Sequence, residues 1–283
     1  MIETAVKAAL EAGDAILDIY ARDFEVEFKA DESPLTEADT ASHEIIVQAL
    51  ETTPYPVLSE ESKAIPYAER KSWTTYWLVD PIDGTKEFIK KNGEFTVNIA
   101  LIKDGVPVLG VVYVPVEDTL YCGVSEGGGA ASPKAWKSVG CKGKSFDAIV
   151  ADAAELSVSN YAASADRPLR VVASKSHCND ETLKFISELE ATYGAAERVS
   201  RGSSLKLCMV AEGVADIYPR IAPTCEWDTA AAHAVVVAAG GRVFEYRNGS
   251  EAGEYTTGSD SVSDVPYNKE NLLNPYFVVS GLN

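Results

Sequence analysis

The run Trp77-Leu78-Val79-Asp80-Pro81-Ile82-Asp83-Gly84-Thr85 sets two carboxylates three residues apart, where an apolar strand gives way to proline, acid, glycine and hydroxyl. Carboxylate and carbonyl oxygens are hard donors of the kind that hold Mg²⁺. Asp80 and Asp83 offer anionic oxygen, and the Ile82 carbonyl lies between them. Pro81 and Gly84 predict a sharp turn aiming all three at one point, with the Thr85 hydroxyl beside it. The same letters have a plainer use, since Asp-Gly is the commonest hairpin signal and acidic turn residues after a strand are usually solvated.

Two distant stretches resemble this one in kind. Leu58-Ser59-Glu60-Glu61-Ser62 follows a strand-like Tyr55-Pro56-Val57-Leu58, and Glu226-Trp227-Asp228-Thr229-Ala230-Ala231 places an acid where an alanine-rich helix begins. Asp228 reads either as a plain N-cap or as a carboxylate holding a metal against a phosphate at the helix N-terminus. Asp39, in Thr36-Glu37-Ala38-Asp39, reads as a helix-start acid with at most a secondary role. Gly127-Gly128-Gly129 and Gly143-Lys144-Ser145 invite a phosphate loop, but Ser138 stands at the first glycine position and neither a preceding strand nor a following helix is evident. No Gly-x-Ser-x-Gly elbow occurs. Of three histidines, His43 is expected on a helix surface and His233 within an alanine-rich helix, while His177 fits loop capping and ligand contact equally.

The elements that must position these groups follow from periodicity. Ile2, Ala5, Val6, Ala9, Ile16 and Tyr20 predict a first helix, and a second runs from near Thr36 to Leu50 after a polar, mobile loop over 29–34. Strands are expected at 95–102, Val108–Val114 and Thr119–Val124, then a looser hairpin and connection over 125–165 between two halves. Further on come a strand at 170–174, a helix capped by Asn179 through Tyr193, a helix from Ser203 to near Gly213, a strand at 215–218, and a helix from Asp228 to Ala239 closed by Gly240-Gly241. The pattern is α/β (α+β): mixed sheets layered with helices, without internal repeats.

With 283 residues, one large or two intimately packed domains are expected, divided as 1–155 and 156–283. The formal charge of −18 argues against nucleic acid and anionic membranes as partners. An anionic substrate remains compatible if bound cations invert the field locally. Five scattered cysteines without a Cys-x-x-Cys pair fit reduced thiols, and the histidines lack zinc spacing. Neither a signal peptide nor a membrane-spanning run is visible, so a soluble, cytoplasmic protein is expected.

Together, Leu58-Ser59-Glu60-Glu61, Asp80-Pro81-Ile82-Asp83-Gly84-Thr85 and Trp227-Asp228-Thr229-Ala230-Ala231 resemble the signatures of the inositol monophosphatase superfamily of lithium-sensitive, magnesium-dependent phosphatases. Lys86-Glu87-Phe88-Ile89, Gly202-Ser203-Ser204-Leu205-Lys206-Leu207-Cys208 and Ala215-Asp216-Ile217-Tyr218-Pro219-Arg220 resemble its branch of bacterial CysQ-type 3'(2'),5'-bisphosphate nucleotidases. The resemblance implies a layered αβαβα sandwich, like that of fructose-1,6-bisphosphatase. It implies two or three Mg²⁺ ions held by Glu60, Asp80, the Ile82 carbonyl, Asp83 and Asp228, with Asp39 at a weaker site. Glu60 and Thr85 would orient the attacking water. Gly84 and Thr85 would meet the scissile phosphate, and His177, Ser203, Lys206 and Arg220 would face the nucleotide or its second phosphate. The expected activity is hydrolysis of the 3'-phosphate of adenosine 3',5'-bisphosphate, and of 3'-phosphoadenylyl sulfate, by a monomer or homodimer. Alternatives are an inositol or sugar monophosphatase and an inactive nucleotide- or metal-binding regulator.

Overall fold

The computed structural model describes residues 1–28, 34–159, 161, 167–173, 178–256 and 262–282, so most of the loop expected over 29–34 lies outside the described residues. In chain order the elements are α1 (Ile2–Tyr20), β1 (Val26–Phe28), β2 (Pro34–Thr36), α2 (Glu37–Leu50), β3 (Val57–Ser59), α3 (Tyr67–Arg70), β4 (Thr75–Asp83), α4 (Thr85–Ile89), β5 (Thr96–Lys103), β6 (Val106–Val114), β7 (Thr119–Val124), β8 (Lys134–Val139), α5 (Phe146–Ala151) and β9 (Ala154–Glu155). There follow β10 (Arg170–Val172), α6 (Asp180–Tyr193), β11 (Glu197–Val199), α7 (Leu205–Ala211), β12 (Ile217–Arg220), α8 (Glu226–Ala238), β13 (Arg242–Glu245) and β14 (Phe277–Ser280).

β3 to β9 form one sheet in sequence order, antiparallel except for the β3–β4 pair. A five-stranded mixed sheet has the order β11-β10-β12-β14-β13. α1 and α2 cover the outer face of the larger sheet, α7 and α8 fill the space between the sheets, and α6 packs outside the smaller one. The result is the expected αβαβα layering.

α8 occupies the centre because almost every side of it is small and apolar. A helix apolar all round has no face for water. Ala230, Ala231, Ala232, Val235 and Val236 are buried. Gly110 on β6 and Gly123 on β7 let its backbone come close: a Cβ at Gly110 would stand 2.0 Å from the Ala231 carbonyl oxygen, and one at Gly123 2.5 Å from the Val235 Cα. The N-terminal end of α8 is thereby brought against β4 and β5.

Three expectations change. Residues 134–155 are not a loose connection: β8 pairs with β7 along its whole length, and α5 and β9 follow it, because Trp136 and Ala135 extend the inner faces of the sheet, while 160 and 162–165 lie outside the described residues. α8 begins at Glu226 with Cys225 as N-cap, which makes Asp228 its third residue rather than its cap. The Asp80–Asp83 run is not a turn after a strand. β4 continues through it by bulging between Asp80 and Asp83, where β5 pairs again at Thr96.

Asp216 ties the smaller sheet together. Its carboxylate is fully buried, with Arg167 donating to both oxygens at 2.8 Å and the Arg170 backbone N–H donating at 2.7 Å. Burial alone would raise its pKa, but these donors outweigh it and hold the group at about 2, below the ordinary 3.8. A depressed folded pKa means that the stabilisation is complete above the unfolded value and is lost as pH falls through the folded one. Between pH 4 and 2, acid unfolding of the wild type is expected to remove on the order of 2 kcal/mol through this group. Asp216→Asn should flatten that part of the stability–pH curve, as read by denaturant titration at several pH values.

Candidate active site

β4 ends on Asp80, Pro81, Ile82 and Asp83, and the bulge turns both carboxylates toward the start of α8. Asp80 is 1 % exposed, with Oδ1 accepting from the Ile82 N–H at 3.1 Å. Asp83 Oδ2 accepts from the Ser204 N–H at 2.6 Å, lies 2.8 Å from the Ser204 hydroxyl, and has Asn98 Nδ2 at 3.5 Å. Asp228 Oδ2 accepts from the Cys225 N–H at 2.9 Å, closing the capping box of α8. Glu60 follows β3, whose parallel pairing with β4 sets it beside Asp80, close enough to share a proton.

These groups feel one another. Burial raises the Asp80 pKa well above the ordinary carboxylate range, and Glu60, Asp83 and Asp228 raise it further. Burial, then Asp83, pushes Asp228 up to about 8. Asp83 is raised by burial, with Lys206 and Ser204 pulling the other way. Among the described residues, no three His, Cys, Asp or Glu side chains are drawn together as a closed ligand set. Each acid is held back by its own donors, as mutual repulsion requires. A crowd of desolvated carboxylates with the Ile82 carbonyl between them is a hard-oxygen donor set lacking only positive charge, and Mg²⁺ fits it.

Thr85 opens α4, its Oγ1 lying 3.3 Å from Asp39 Oδ1 and 3.4 Å from the Ile82 carbonyl oxygen. Asp39, 2 % exposed, is the third residue of α2 and bonds back to Thr36 through its other oxygen, so the helix-start role and proximity to the cluster coexist. Gly84 has φ +97°, and a Cβ there would meet Ser203 Oγ at 2.2 Å. Ser203, with φ +47°, turns its hydroxyl to the backbone carbonyls of Asp83 and Glu94, 2.8 Å from each.

Beside the acids opens a cleft of about 350 Å³ whose walls include Asp83, Gly84, Ser203, Lys206, Arg220 and Asp228. Lys206 Nζ donates to the Ser203 carbonyl at 2.9 Å, and burial lowers its pKa against the opposing pull of Asp83. Arg220 Nη2 donates to the Pro223 carbonyl at 3.1 Å, while its buried Nε has no partner among the described residues. His177 lies outside the described residues. A larger recess of about 810 Å³ beside β1 and β2 contains none of the clustered acids on β4 and α8, so size does not mark the chemistry here.

Residues not singled out from the sequence complete the site. Asn98 and Ser204 hold Asp83, and Ser204 Oγ also lies 2.7 Å from the Asp228 carbonyl oxygen. Asn98, a lone amide in an apolar strand, carried a readable signal, because a buried polar group needs a partner. Arg201 also faces the cleft and pairs with Glu117 and Glu94. His43 is half-buried rather than on the surface, with Nδ1 2.9 Å from the Ser59 hydroxyl, and His233 is buried in α8 as expected.

The phosphate-loop reading fails for a reason other than the expected one. β8 does precede the loop and α5 follows it, but Lys144 Nζ is paired with Asp152 at 2.9 Å and Ser145 caps α5 through the Ala148 N–H. Those groups are already satisfied.

Residues 1–274 match the inositol monophosphatase family. The chain belongs to the inositol monophosphatase family. Within it, the chain is 45 % identical over 284 residues to the 3'(2'),5'-bisphosphate nucleotidase CysQ of Salmonella typhimurium and 44 % identical to that of Escherichia coli K12, with 99 % of each chain covered. It is 47 % identical to the crystal structure of CysQ from Bacteroides thetaiotaomicron, a bacterial member of the same family, at a TM-score of 0.79 over 98 % of this chain and 95 % of that one. The suhB protein of Bartonella henselae shares the family fold at 21 % identity, 99 % and 93 % coverage and a TM-score of 0.67. No helix among the described residues is long and apolar enough to cross a membrane.

Repulsion within the acid cluster has a measurable consequence. Between the ordinary carboxylate value of 3.8 and about 8, the folded, cation-free protein keeps a proton on Asp228 that the unfolded chain has released. Stability without cations should therefore fall as pH rises through this window, and Mg²⁺ should remove the fall. Asp80→Asn, which keeps an oxygen for the Ile82 N–H, is expected to raise the cation-free thermal midpoint by a few degrees and abolish the further rise that Mg²⁺ gives. Calorimetry with and without Mg²⁺ reads both.

Proposed function

We propose that this protein is a Mg²⁺-dependent 3'(2'),5'-bisphosphate nucleotidase that hydrolyses the 3'-phosphate of adenosine 3',5'-bisphosphate to AMP and phosphate, and also takes 3'-phosphoadenylyl sulfate. The observation that carries the substrate class is that Lys206 and Arg220 line the same cleft as Asp83 and Asp228. A monophosphate needs only the acids; a second phosphate gives the two basic groups a partner. The relatives named as bisphosphate nucleotidases support this over their full length.

Two or three Mg²⁺ ions would be held by Glu60, Asp80, the Ile82 carbonyl, Asp83 and Asp228, with Asp39 at the weakest position. When bound, they would lower the pKa of an attacking water and neutralise charge on the phosphoryl and leaving oxygens. The chain's own groups do the rest. If Thr85 donates its proton to Asp39, its oxygen is left to accept from that water and turn a lone pair toward phosphorus. Glu60, sharing a buried neighbourhood with Asp80, takes up the released proton. The backbone N–H groups of Gly84 and Thr85 meet the scissile phosphate. The segment 1–155 carries most cation ligands, while 156–283 carries Asp228 and the contacts to the second phosphate. The five cysteines form no disulfide among the described residues, which supports a cytoplasmic setting.

At fixed Mg²⁺, phosphate release from adenosine 3',5'-bisphosphate should exceed that from inositol 1-phosphate on the order of 100-fold in kcat/KM, as a site built for a missing polar group discriminates strongly. Preference for the inositol phosphate would instead identify an inositol or sugar monophosphatase. Asp83→Asn should reduce kcat at least 100-fold for either substrate, and Lys206→Met should raise KM for the bisphosphate while leaving inositol 1-phosphate turnover within about threefold.

A further inference from the structure

Residues 266–274 run between the end of α3, which leads into β4, and the N-terminus of α8. Arg70, at the end of α3 and 2 % exposed, donates to Asn268 Oδ1 at 3.0 Å and to the carbonyls of Lys269 and Glu270 at 2.6 and 2.8 Å. Asn268 returns a bond from Nδ2 to the Arg70 carbonyl at 2.8 Å and holds φ +64°, a left-handed conformation that asparagine tolerates better than most residues. From the α8 side, the fully buried Glu226 carboxylate holds the same residues, accepting from the Asn268 N–H at 2.8 Å, the Lys269 N–H at 3.0 Å and Lys269 Nζ at 2.6 Å. Asn274 adds a bond from Nδ2 to the Cys225 carbonyl at 2.6 Å, at the N-cap of α8.

Glu226 and Asp228 share the first turn of α8, whereas Arg70 leads into β4, which carries Asp80 and Asp83. Crowding Asp228 with Asp80 and Asp83 where little water reaches them works against keeping the α8 terminus close to β4. Opposing that effect takes a connection independent of the acids themselves, and the segment 266–274 is one, with residues 268–270 held between two buried charges, Arg70 on the α3 side and Glu226 on the α8 side. We propose that residues 266–274 form a tether that sets the spacing between Asp228 and the Asp80–Asp83 pair and so sets divalent-cation affinity. Arg70, Asn268 and Glu226 act in it as positioning residues and not as ligands. This rests on the assignment of the acid cluster as the cation site.

The test is Mn²⁺ binding by the full chain, followed by electron paramagnetic resonance without substrate, alongside thermal midpoints. Glu226→Gln removes the charge that Lys269 answers, and Asn268→Gly keeps the left-handed backbone while deleting the bonds to Arg70. Each is expected to raise the Mn²⁺ dissociation constant on the order of tenfold, as loss of the groups that orient metal ligands does. Phe185→Leu, in the distant core under α6, should lower the midpoint yet bind Mn²⁺ like the wild type. Wild-type Mn²⁺ affinity in Asn268→Gly, or in a folded Glu226→Gln, would overturn the tether. Absence of any saturable Mn²⁺ site in the wild type is a separate result, which removes the cation-site assignment and the tether with it.

Discussion

Holding several carboxylates in one buried place, where Lys206 and Arg220 offset only part of the cost, is the constraint on which this structure turns. Water would disperse their repulsion, but the layers that bring β3, β4 and α8 together exclude water, so the repulsion is strong and must be resisted by covalent geometry and hydrogen bonds. Each acid therefore has a donor of its own: the Ile82 N–H for Asp80, Ser204 for Asp83, and the Cys225 N–H for Asp228.

The rest of the fold reads as support for that arrangement. Alanines on α8 and glycines on β6 and β7 let the helix lie close to the sheet, which puts its N-terminus within reach of the bulge in β4. The bulge lets Asp80 and Asp83 leave the regular alternation of the strand. Lys206 and Arg220 line the same cleft as Asp83 and Asp228, so groups of both signs meet in one place.

Much of this was legible in the letters because local rules were obeyed. Thr36 and Asn179 cap α2 and α6 where the capping signals stand, and strand alternation marks β5 to β7. The site acids stood out because acids at three element ends suggest convergence, and one of those ends also carries proline and glycine. Less was legible where a residue's meaning depends on a distant partner. Ser204 is an ordinary serine until Asp83 and the Asp228 carbonyl lie against it. The residues of β8 show weak strand character and become a strand because β7 offers an unpaired edge.

The sequence by itself determined α1, α2, α6, α7 and α8, the strands β3 to β7, β10 and β12, the acids at the element ends and, through its resemblance to a phosphatase family, the kind of chemistry they do. These depend on side-chain type and spacing within a few residues, and short-range sterics and hydrogen bonds express them directly. Only the tertiary structure decided that Asp228 is the third residue of its helix, that Asp39 reaches Thr85, and that Arg70 and Glu226 grip one segment from opposite sides. Those relations join residues up to 200 positions apart. They exist because burial leaves each polar group only the partners that packing happens to bring within about 3 Å.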